Sequence, residues 1–320
     1  MLQISAVIPV FNEEESLPEL TQWISRVMND HGFAYEIIFV NDGSTDQSWE
    51  VITELSKKNG NVKALNFTRN YGKSAALDAG FAQAKGRVVV TLDADLQDSP
   101  DEIPDLYHMI EEQGYDVVSG WKKERHDPIS KTIPSRFFNA VTRWISGINL
   151  HDFNCGLKAY RLKVVKNIRI YGEMHRYIPL LAKWSGFNKI GEKVVQHQAR
   201  KYGYSKFGLE RFLNGFLDLI SVSFVHRYKK KPMHFFGSLG TLSFISGIFI
   251  TVWLIIQKVY GLSKGIKVRE VVDQPLFFLA LVALIIGVQL FVTGFIAELM
   301  TSNQSKEKEY TIDEEINCLN

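Results

Sequence analysis

The sequence is poor in several features that mark common functional classes. Its two cysteines, Cys155 and Cys318, are too few for a disulfide framework. No Gly-x-Gly-x-x-Gly follows the first predicted strand, which argues against a dinucleotide-binding Rossmann domain. There is no nucleophile-elbow motif, and the eight histidines form no pair with metal-ligand spacing. A formal net charge of +2, with no concentrated basic face outside the membrane-proximal segment, disfavours nucleic acid as a partner.

The sequence does contain a strand-like apolar run that ends in two carboxylates. Residues 87–92 are followed at once by Asp93 and Asp95, with Gln97 just beyond. Side chains alternate along an extended segment, so the two carboxylates are predicted to point the same way. Oxygen ligands of this kind suit Mg²⁺ or Mn²⁺, which also bind substrate phosphates. The pattern predicts a metal site at Asp93, Asp95 and Gln97; taken alone, the pair also fits a solvated turn.

Three earlier segments have the same strand-then-polar pattern. Residues 4–10 lead to Glu13, residues 35–40 lead to Asp42, and residues 62–67 precede an Ala-rich helix. Alternating strands and helices predict an α/β fold, with a mostly parallel sheet and helices on both faces. Ligands of such sheets bind outside the carboxyl ends of the strands, so the acidic residues are expected to converge there.

Six motifs follow one another along the chain: VIPVFNE at 7–13, DGSTD at 42–46, DADLQ at 93–97, YDVVSG at 115–120, CGLKAYR at 155–161 and HQARKYGYSK at 197–206. Together they resemble the family-2 inverting glycosyltransferases with the GT-A (Rossmann-like) fold. The resemblance covers roughly residues 4 to 300 and is greatest to the polyprenyl-phosphate branch. That branch includes dolichyl-phosphate mannose synthases and undecaprenyl-phosphate glucosyl- and aminoarabinosyl-transferases. Phe11 stands where many relatives carry Tyr, which removes a hydroxyl but keeps a stacking surface.

The resemblance implies a role for each motif. Asp95, with Asp93 and Gln97, holds a divalent ion at the leaving diphosphate, and Asp93 is also a candidate ribose contact. Asp152 matches an acidic residue proposed as a base, although an acceptor phosphate that is largely dianionic needs orientation more than deprotonation. The implied donor-binding residues are Pro9, Phe11, Glu13, Asp42, Asp93, Arg200 and Lys206, and the implied acceptor-phosphate residues are Arg125, Lys131 and Ser135.

Two long runs toward the C-terminus, residues 235–256 and 275–297, are apolar and uncharged. Each is long enough for the roughly 20 helical residues that cross a bilayer core, so a two-helix transmembrane hairpin is predicted, with buried core helices as the alternative. Basic residues flank both outer ends, which favours both termini inside, although the connecting loop is basic too. No cleavable signal segment precedes the first strand, so we expect a multi-pass inner (cytoplasmic) membrane protein with a cytoplasmic catalytic domain.

Two further segments mix basic and large apolar residues at helical spacing, at about 134–147 and within 207–225. They are expected to be interfacial amphipathic helices, or else helices that pack on the sheet. The predicted organisation is a catalytic domain over 1–206, an amphipathic juxtamembrane helix over 207–232, two transmembrane helices over 233–300 and a flexible tail over 301–320.

The sequence thus predicts a membrane-anchored, metal-dependent, inverting glycosyltransferase. Its substrates would be a UDP- or GDP-sugar and a polyprenyl phosphate, such as undecaprenyl phosphate, at the cytoplasmic face. One alternative is a processive polysaccharide synthase, whose Gln-x-x-Arg-Trp signature has Ala140 here in place of Gln. Another is a non-catalytic nucleotide-sugar-binding membrane scaffold. Homo-oligomerisation, the sugar and the nucleotide stay open.

Overall fold

The computed structural model describes residues 2–123, 139–170, 172–198, 201–202, 224, 228, 231–302 and 312–316. The chain forms two compact units, Met1–Leu219 with Lys308–Asn320, and Ile220–Glu307. The first unit contains a mixed sheet with its helices, and the second contains two long apolar helices.

An eight-stranded sheet, counted over the described residues, is the framework of the first unit. Its strands are β1 (Ile4–Val10), β2 (Tyr35–Asn41), β3 (Val62–Phe67), β4 (Val88–Thr91), β5 (Val117–Trp121), β6 (Lys158–Arg161), β7 (Ile190–Val194) and β8 (Ile312–Ile316). They lie in the order β7-β5-β6-β4-β1-β2-β3-β8. The β1–β2, β2–β3, β1–β4 and β5–β7 pairs are parallel, whereas β6 and β8 run antiparallel to their neighbours. The predicted mostly parallel sheet is confirmed.

The order of the strands reverses at β1. From β1 the sheet continues through β2 and β3 on one side and through β4 on the other. Ile4 pairs with Tyr35 of β2 on one side and with Val88 of β4 on the other. The carboxyl ends of β1, β2 and β4 therefore meet at one edge of the sheet. In doubly wound sheets this reversal creates a crevice in which ligands bind.

Helices cover both faces of the sheet, as predicted. On one face, alternate residues of β1 from Ile4 to Val10 join a core with apolar residues of the first and fourth helices. On the other face, the third helix approaches so closely that a Cβ on Gly80 would overlap Val7. The helices of this unit are α1 (Leu17–Asp30), α2 (Ser48–Lys58), α3 (Lys73–Gln83), α4 (Ile103–Glu111), α5 (Leu162–Asn167) and α6 (Ile178–Trp184), with 3₁₀ turns at Pro100–Glu102 and Met174–Tyr177 and a further helical stretch at 139–146.

Strand β8 lies within the segment predicted to be a flexible tail, and the structure differs from that prediction at these residues. Its backbone pairs antiparallel with β3, with Ile316 opposite Ala64 and Glu314 opposite Asn66. Without it, β3 would present a row of unpaired backbone groups at the edge of the described sheet. The hydrogen bonds available at that edge account for the ordered strand.

The second unit is an antiparallel pair of helices, α7 (Pro232–Ser263) and α8 (Pro275–Ser302). Each is long and apolar enough to cross a membrane, with a mean hydropathy of 2.2 and 2.7 in the most apolar part of the first and second helix. Only 17% and 11% of these stretches is buried, whereas a core helix of a soluble domain is mostly buried. Composition and exposure together support the predicted membrane hairpin.

Small residues form the seam between α7 and α8. A Cβ on Gly240 would lie 2.7 Å from the Gly287 carbonyl oxygen, and a Cβ on Gly287 would lie 2.8 Å from the Gly240 carbonyl oxygen. Ser243 donates a hydrogen bond from its hydroxyl to the Ala283 carbonyl, at 2.8 Å. Because helices in lipid associate through close backbone packing rather than hydrophobic burial, this seam is what holds the hairpin together.

We expect Gly240→Leu to destabilise the hairpin, because the new side chain must push the backbone of α8 away. Overpacking of this kind costs about 1–3 kcal/mol. The measurement is thermal unfolding of the detergent-solubilised protein, with Ser246→Leu, at an exposed position of the same helix, as the control. Equal stability of the two variants would contradict the assigned seam.

Candidate active site

Two loops at the carboxyl edge of the sheet are bonded to each other. Asn12 follows β1 in the left-handed conformation, with φ 56°, which its short polar side chain tolerates. Its backbone N–H donates to the Ser44 hydroxyl at 3.0 Å, and its side-chain oxygen accepts from the Thr45 N–H at 2.8 Å. The Glu13 N–H donates to the Ser48 hydroxyl at 2.9 Å. These bonds fix the VIPVFNE loop against the DGSTD loop, as a shared binding site requires.

Asp42 is a buried carboxylate that ties the end of β2 to the loop after β3. Its Oδ1 accepts from the Tyr71 N–H at 2.7 Å, and its Oδ2 accepts from the Gly72 N–H at 3.0 Å. Burial raises the pKa of Asp42, and the two N–H donors oppose that shift. Both carboxylate oxygens of Asp42 therefore accept hydrogen bonds from backbone N–H groups, at the edge of the sheet where the nucleotide pocket is predicted. Phe11 at the same edge is 37% exposed and offers an aromatic face.

The predicted metal motif lies in a turn. Strand β4 ends at Thr91, and the backbone turns at Ala94 and Asp95, before Leu96 at a φ of 58°. Asp93 and Asp95 therefore do not lie on an extended strand. The prediction that they point the same way relied on strand alternation, and that basis is wrong. Asp95 is buried, and its Oδ1 accepts from the Gln97 N–H at 3.2 Å.

Asp93 forms an ion pair with Lys73, the first residue of α3. Its carboxylate also packs on Gly156, where a Cβ would lie only 2.5 Å from Oδ2. Burial by itself would raise the pKa of Asp93, but the adjacent Lys73 ammonium outweighs it and the pKa is lowered. Asp93 is thus an ionised carboxylate already paired with a cation.

The donor set at this turn fits a divalent ion of the Mg²⁺ type. Among the described residues, no three His, Cys, Asp or Glu side chains gather into a metal-binding group. Mg²⁺ does not need such a group, because it is usually held by one or two carboxylates together with substrate phosphates and water. Asp95, with the amide of Gln97 two residues on, offers oxygen ligands of that kind.

Asp152, the predicted base, is buried in the segment before β6. Its Oδ1 accepts from the Asn154 N–H at 2.9 Å, and its backbone carbonyl accepts from the Ser119 hydroxyl at 3.2 Å. The Phe153 N–H donates to the Asn139 side chain at 3.3 Å. The loop that carries Asp152 is accordingly anchored at several points.

The contacts of His151, the residue before Asp152, were not predicted from the sequence. Glu192 of β7 accepts from the His151 N–H at 2.7 Å and also contacts the imidazole Nδ1. The His151 ring stacks on Trp121 at the end of β5, with the ring centroids 4.2 Å apart. Both contacts join residues far apart in sequence, so only the assembled sheet reveals that His151, the residue before Asp152, is held by β5 and β7.

Four further side chains around Asp93 were also not predicted from the sequence as site residues. A cavity beside Asp93 is lined by Lys73, Lys158, His175 and Arg176, together with Pro9 and other residues. Lys158 lies in the CGLKAYR motif and donates from Nζ to the Cys155 carbonyl. Burial lowers the pKa of Lys158. Pro9 and Asp93 both line this cavity, while Asp95 is not part of its lining.

A buried ion pair between Lys122 and Asp98 lies directly after the DADLQ motif. Lys122 Nζ lies 2.7 Å from Oδ1 of Asp98, whose side chain is fully buried. Burial alone would lower the pKa of Lys122, but the Asp98 carboxylate raises it. His197 pairs with Asp98 through a β-bridge, and the Gln198 N–H donates to the Gln97 carbonyl at 2.9 Å. The last motif therefore begins directly against the DADLQ turn.

Several predicted site residues lie outside the part of the chain that the structure describes. This applies to Arg125, Lys131, Ser135, Arg200 and Lys206, and to most of the amphipathic segment at 207–232. Their roles stay predictions from sequence.

Comparison with solved structures defines the class of the first unit. The chain is similar to glucosyl-3-phosphoglycerate synthase from Mycobacterium tuberculosis, with a TM-score of 0.53 and 20% identity, over 70% of this chain and 80% of that one. A complex of the same enzyme with Mn²⁺ and UDP-glucose gives a TM-score of 0.52 and 21% identity, over 71% of this chain and 79% of that one. The first unit is therefore a GT-A-type α/β domain.

Sequence comparisons identify the family. The profile described as "Glycosyl transferase family 2" matches residues 5–169, just over half of the chain. A dodecaprenyl-phosphate galacturonate synthase of Rhizobium johnstonii is 37% identical over 93% of this chain and 88% of its own length. An undecaprenyl-phosphate 4-deoxy-4-formamido-L-arabinose transferase of Pseudomonas aeruginosa is 35% identical over 92% of this chain and 84% of its own length. The chain belongs to glycosyl transferase family 2, in its polyprenyl-phosphate branch, and it is a glycosyltransferase.

Proposed function

We propose that this protein transfers a single sugar from a nucleoside-diphosphate sugar to a polyprenyl phosphate. The observation that carries the proposal is a match to two enzymes named for such products, over 93% and 92% of this chain. The apolar hairpin of α7 and α8 is where an acceptor that resides in the membrane would be met. The basic residues at 227–231 and 306–308 support reaction at the cytoplasmic face of the inner membrane.

The transfer exchanges one bond to the anomeric carbon for another. An oxygen of the acceptor phosphate forms a bond to that carbon while the carbon–oxygen bond to the diphosphate breaks. The nucleoside diphosphate leaves with the electron pair, and the configuration at the carbon inverts. Because the attacking phosphate is largely a dianion at neutral pH, the main task of the protein is to align it with the donor.

We assign the donor and metal residues accordingly. Pro9, Phe11, Glu13 and Asp42 surround the nucleoside, and Arg200 and Lys206 meet the donor phosphates. Asp95 and Gln97 would hold a Mg²⁺ or Mn²⁺ ion, beside Asp93, and that ion supplies Lewis-acid stabilisation to the leaving diphosphate when it is bound. A metal fits the oxygen donors described above, and Mn²⁺ accompanies UDP-glucose in the M. tuberculosis enzyme. Arg125, Lys131 and Ser135 are assigned to the acceptor phosphate.

A transfer assay with the purified full-length protein tests this function. Undecaprenyl phosphate in detergent or vesicles is incubated with a panel of UDP- and GDP-sugars, and the lipid products are identified by mass spectrometry. We expect a lipid carrying one sugar, with stoichiometric release of the nucleoside diphosphate. Chains of several sugars would instead support a processive synthase, and binding without turnover of any donor would support a scaffold.

Substitutions at Asp152 separate a base from an orienting residue. Asp152→Asn keeps the Oδ1 acceptor for the Asn154 N–H, whereas Asp152→Ala loses it. If alignment dominates, we expect kcat to fall less than about tenfold in the Asn variant and on the order of a hundredfold in the Ala variant. The measurement is kcat at saturating levels of both substrates. Equal losses in the two variants would show that the carboxylate removes a proton.

A further inference from the structure

Gln289 is a polar side chain in the middle of the second apolar helix. It lies fourteen residues after Pro275 and thirteen before Ser302, the two ends of α8. At about 1.5 Å per residue, each end is about 20 Å away, which exceeds the roughly 15 Å half-thickness of a bilayer's hydrocarbon core. When α8 crosses a membrane, the Gln289 amide therefore lies at the depth that is most apolar.

The Gln289 amide has no partner within its own hairpin. Two residues turn the side-chain direction around a helix by about 200°, so Gln289 points away from Gly287 and from the seam with α7. Its side chain is exposed, and no hydrogen bond joins it to any residue that the structure describes. The Ser243 and Thr293 hydroxyls, by contrast, each donate to a backbone carbonyl of the hairpin at 2.8 Å. The partner of Gln289 must come from outside the hairpin.

An unpaired amide at this depth is unfavourable. The glutamine side chain offers two N–H donors and one carbonyl acceptor, and hydrocarbon supplies no group to bond them. A polar side chain near a helix end can extend to the headgroup region, but one at the middle of the helix cannot. Glutamine side chains in membrane helices accordingly form hydrogen bonds across helices.

A second copy of this chain supplies the missing partner. Copies that insert in the same orientation hold Gln289 at the same depth, and a two-fold axis brings identical residues together. The amide is complementary to itself, because the N–H of each copy can donate to the carbonyl oxygen of the other. A lipid acyl or polyprenyl chain offers neither a donor nor an acceptor.

The surface beside Gln289 is an open apolar groove. It is lined by Phe244, Ile248, Leu284, Ile285, Val288 and Gln289. Apolar side chains alone drive little association in a membrane, because lipid tails are equally apolar. The groove therefore provides a packing surface, and the amide provides the reason for a protein partner to occupy it.

We propose that two copies of this protein associate in the membrane through this face of α8, with their Gln289 amides hydrogen-bonded to each other. This association goes beyond sugar transfer, and it depends only on the hairpin lying in a bilayer.

The test measures energy transfer between copies in vesicles. Full-length protein, labelled at its N-terminus with either of two matched fluorophores, is mixed in phosphatidylcholine vesicles over a range of protein-to-lipid ratios. We expect Gln289→Leu to raise the dissociation constant of the pair by about five- to thirtyfold, the value of an interhelical hydrogen bond in model membrane helices. Gln289→Asn keeps an amide and should recover part of the loss.

Gln257→Leu is the matched control. Gln257 is also exposed, but it lies in the last two turns of α7, where its amide can reach the headgroup region. Its replacement should leave the dissociation constant at the wild-type value. Thermal unfolding of each detergent-solubilised variant checks the fold, and Gln289→Met replaces Gln289→Leu if the latter is unfolded.

Mixing wild-type with Gln289→Leu copies shows whether Gln289 pairs with itself. A bond between the two Gln289 amides is lost in a mixed pair as fully as in a pair of variants, so these two pairs should be equally weak. A bond from Gln289 to a different residue would be made twice in a two-fold pair. The free energy of the mixed pair would then lie midway, which would overturn the self-pairing of Gln289.

Two other results would also overturn the inference. One is wild-type protein that shows no energy transfer at any protein-to-lipid ratio. The other is unchanged association in Gln289→Leu; if the KM for undecaprenyl phosphate rises in that variant, the groove holds the polyprenyl chain instead. Because association is measured without sugar transfer, its failure leaves the proposed function intact.

Discussion

Replacing Asp95 with asparagine is expected to lower sugar transfer by about a hundredfold or more while the fold is retained. The side chain keeps its size, but it loses the charge that we assign to holding the divalent ion. Such an ion stabilises the charge on the leaving group by several kcal/mol, and each 1.36 kcal/mol corresponds to a factor of ten in rate. The measurement is the transfer rate across a Mn²⁺ titration, with thermal unfolding as the check on folding.

Asp105→Asn is a matched control for this experiment. Asp105 lies on α4, where its carboxylate is largely exposed and 2.7 Å from Lys193 Nζ. The same loss of a carboxylate at this position should leave transfer unchanged, since exposed ion pairs contribute little. If Asp95→Asn keeps wild-type turnover and still requires metal, the ion is bound elsewhere and the assignment of Asp95 is wrong.

Gly156→Ala is expected to impair transfer by displacing a carboxylate. The added methyl group would lie 2.5 Å from Oδ2 and 2.6 Å from Cγ of Asp93. The backbone at this point is held by the Thr91 hydroxyl, which donates to the Gly156 carbonyl at 2.8 Å. The Asp93 side chain must therefore shift from the position in which it pairs with Lys73. Misplacement of a substrate-positioning group by about 1 Å can cost on the order of a hundredfold in rate.

Stability should change much less than activity in this variant, because the displaced group is the end of a side chain rather than backbone. Gly60→Ala is the control, since a Cβ at that glycine meets no atom within 4 Å. The measurements are the transfer rate and thermal unfolding for both variants. Full activity in Gly156→Ala would mean that the position of Asp93 is unimportant for the reaction.

The parallel part of the sheet was predictable because it depends on local pattern. Apolar runs bounded by polar turns located the first four strands, and the structure places them at Ile4–Val10, Tyr35–Asn41, Val62–Phe67 and Val88–Thr91. The order of the remaining strands was not predictable. Strand β6 lies between β4 and β5 and runs antiparallel to both, and such long-range pairing leaves no periodic signal in the sequence.

The candidate site was likewise only partly predictable from the sequence. Asp93, Asp95 and Asp152 lie in short motifs, so residue type and spacing were enough to nominate them. The partners that give these residues their character are distant in sequence: Lys73 lies 20 positions from Asp93, and Ser119 lies 33 positions from Asp152. The directions of the two motif carboxylates were missed for a local reason, because the chain leaves the extended conformation after Thr91 and reaches a left-handed residue at Leu96.

The glycine seam of the hairpin has a consequence for where the product goes. Two helices whose backbones nearly touch at Gly240 and Gly287 enclose no lumen between them. Within residues 232–302 of one chain there is accordingly no aqueous route along which a sugar could cross the bilayer. A sugar that this enzyme attaches to a lipid in one leaflet would therefore find no passage to the other leaflet between these two helices.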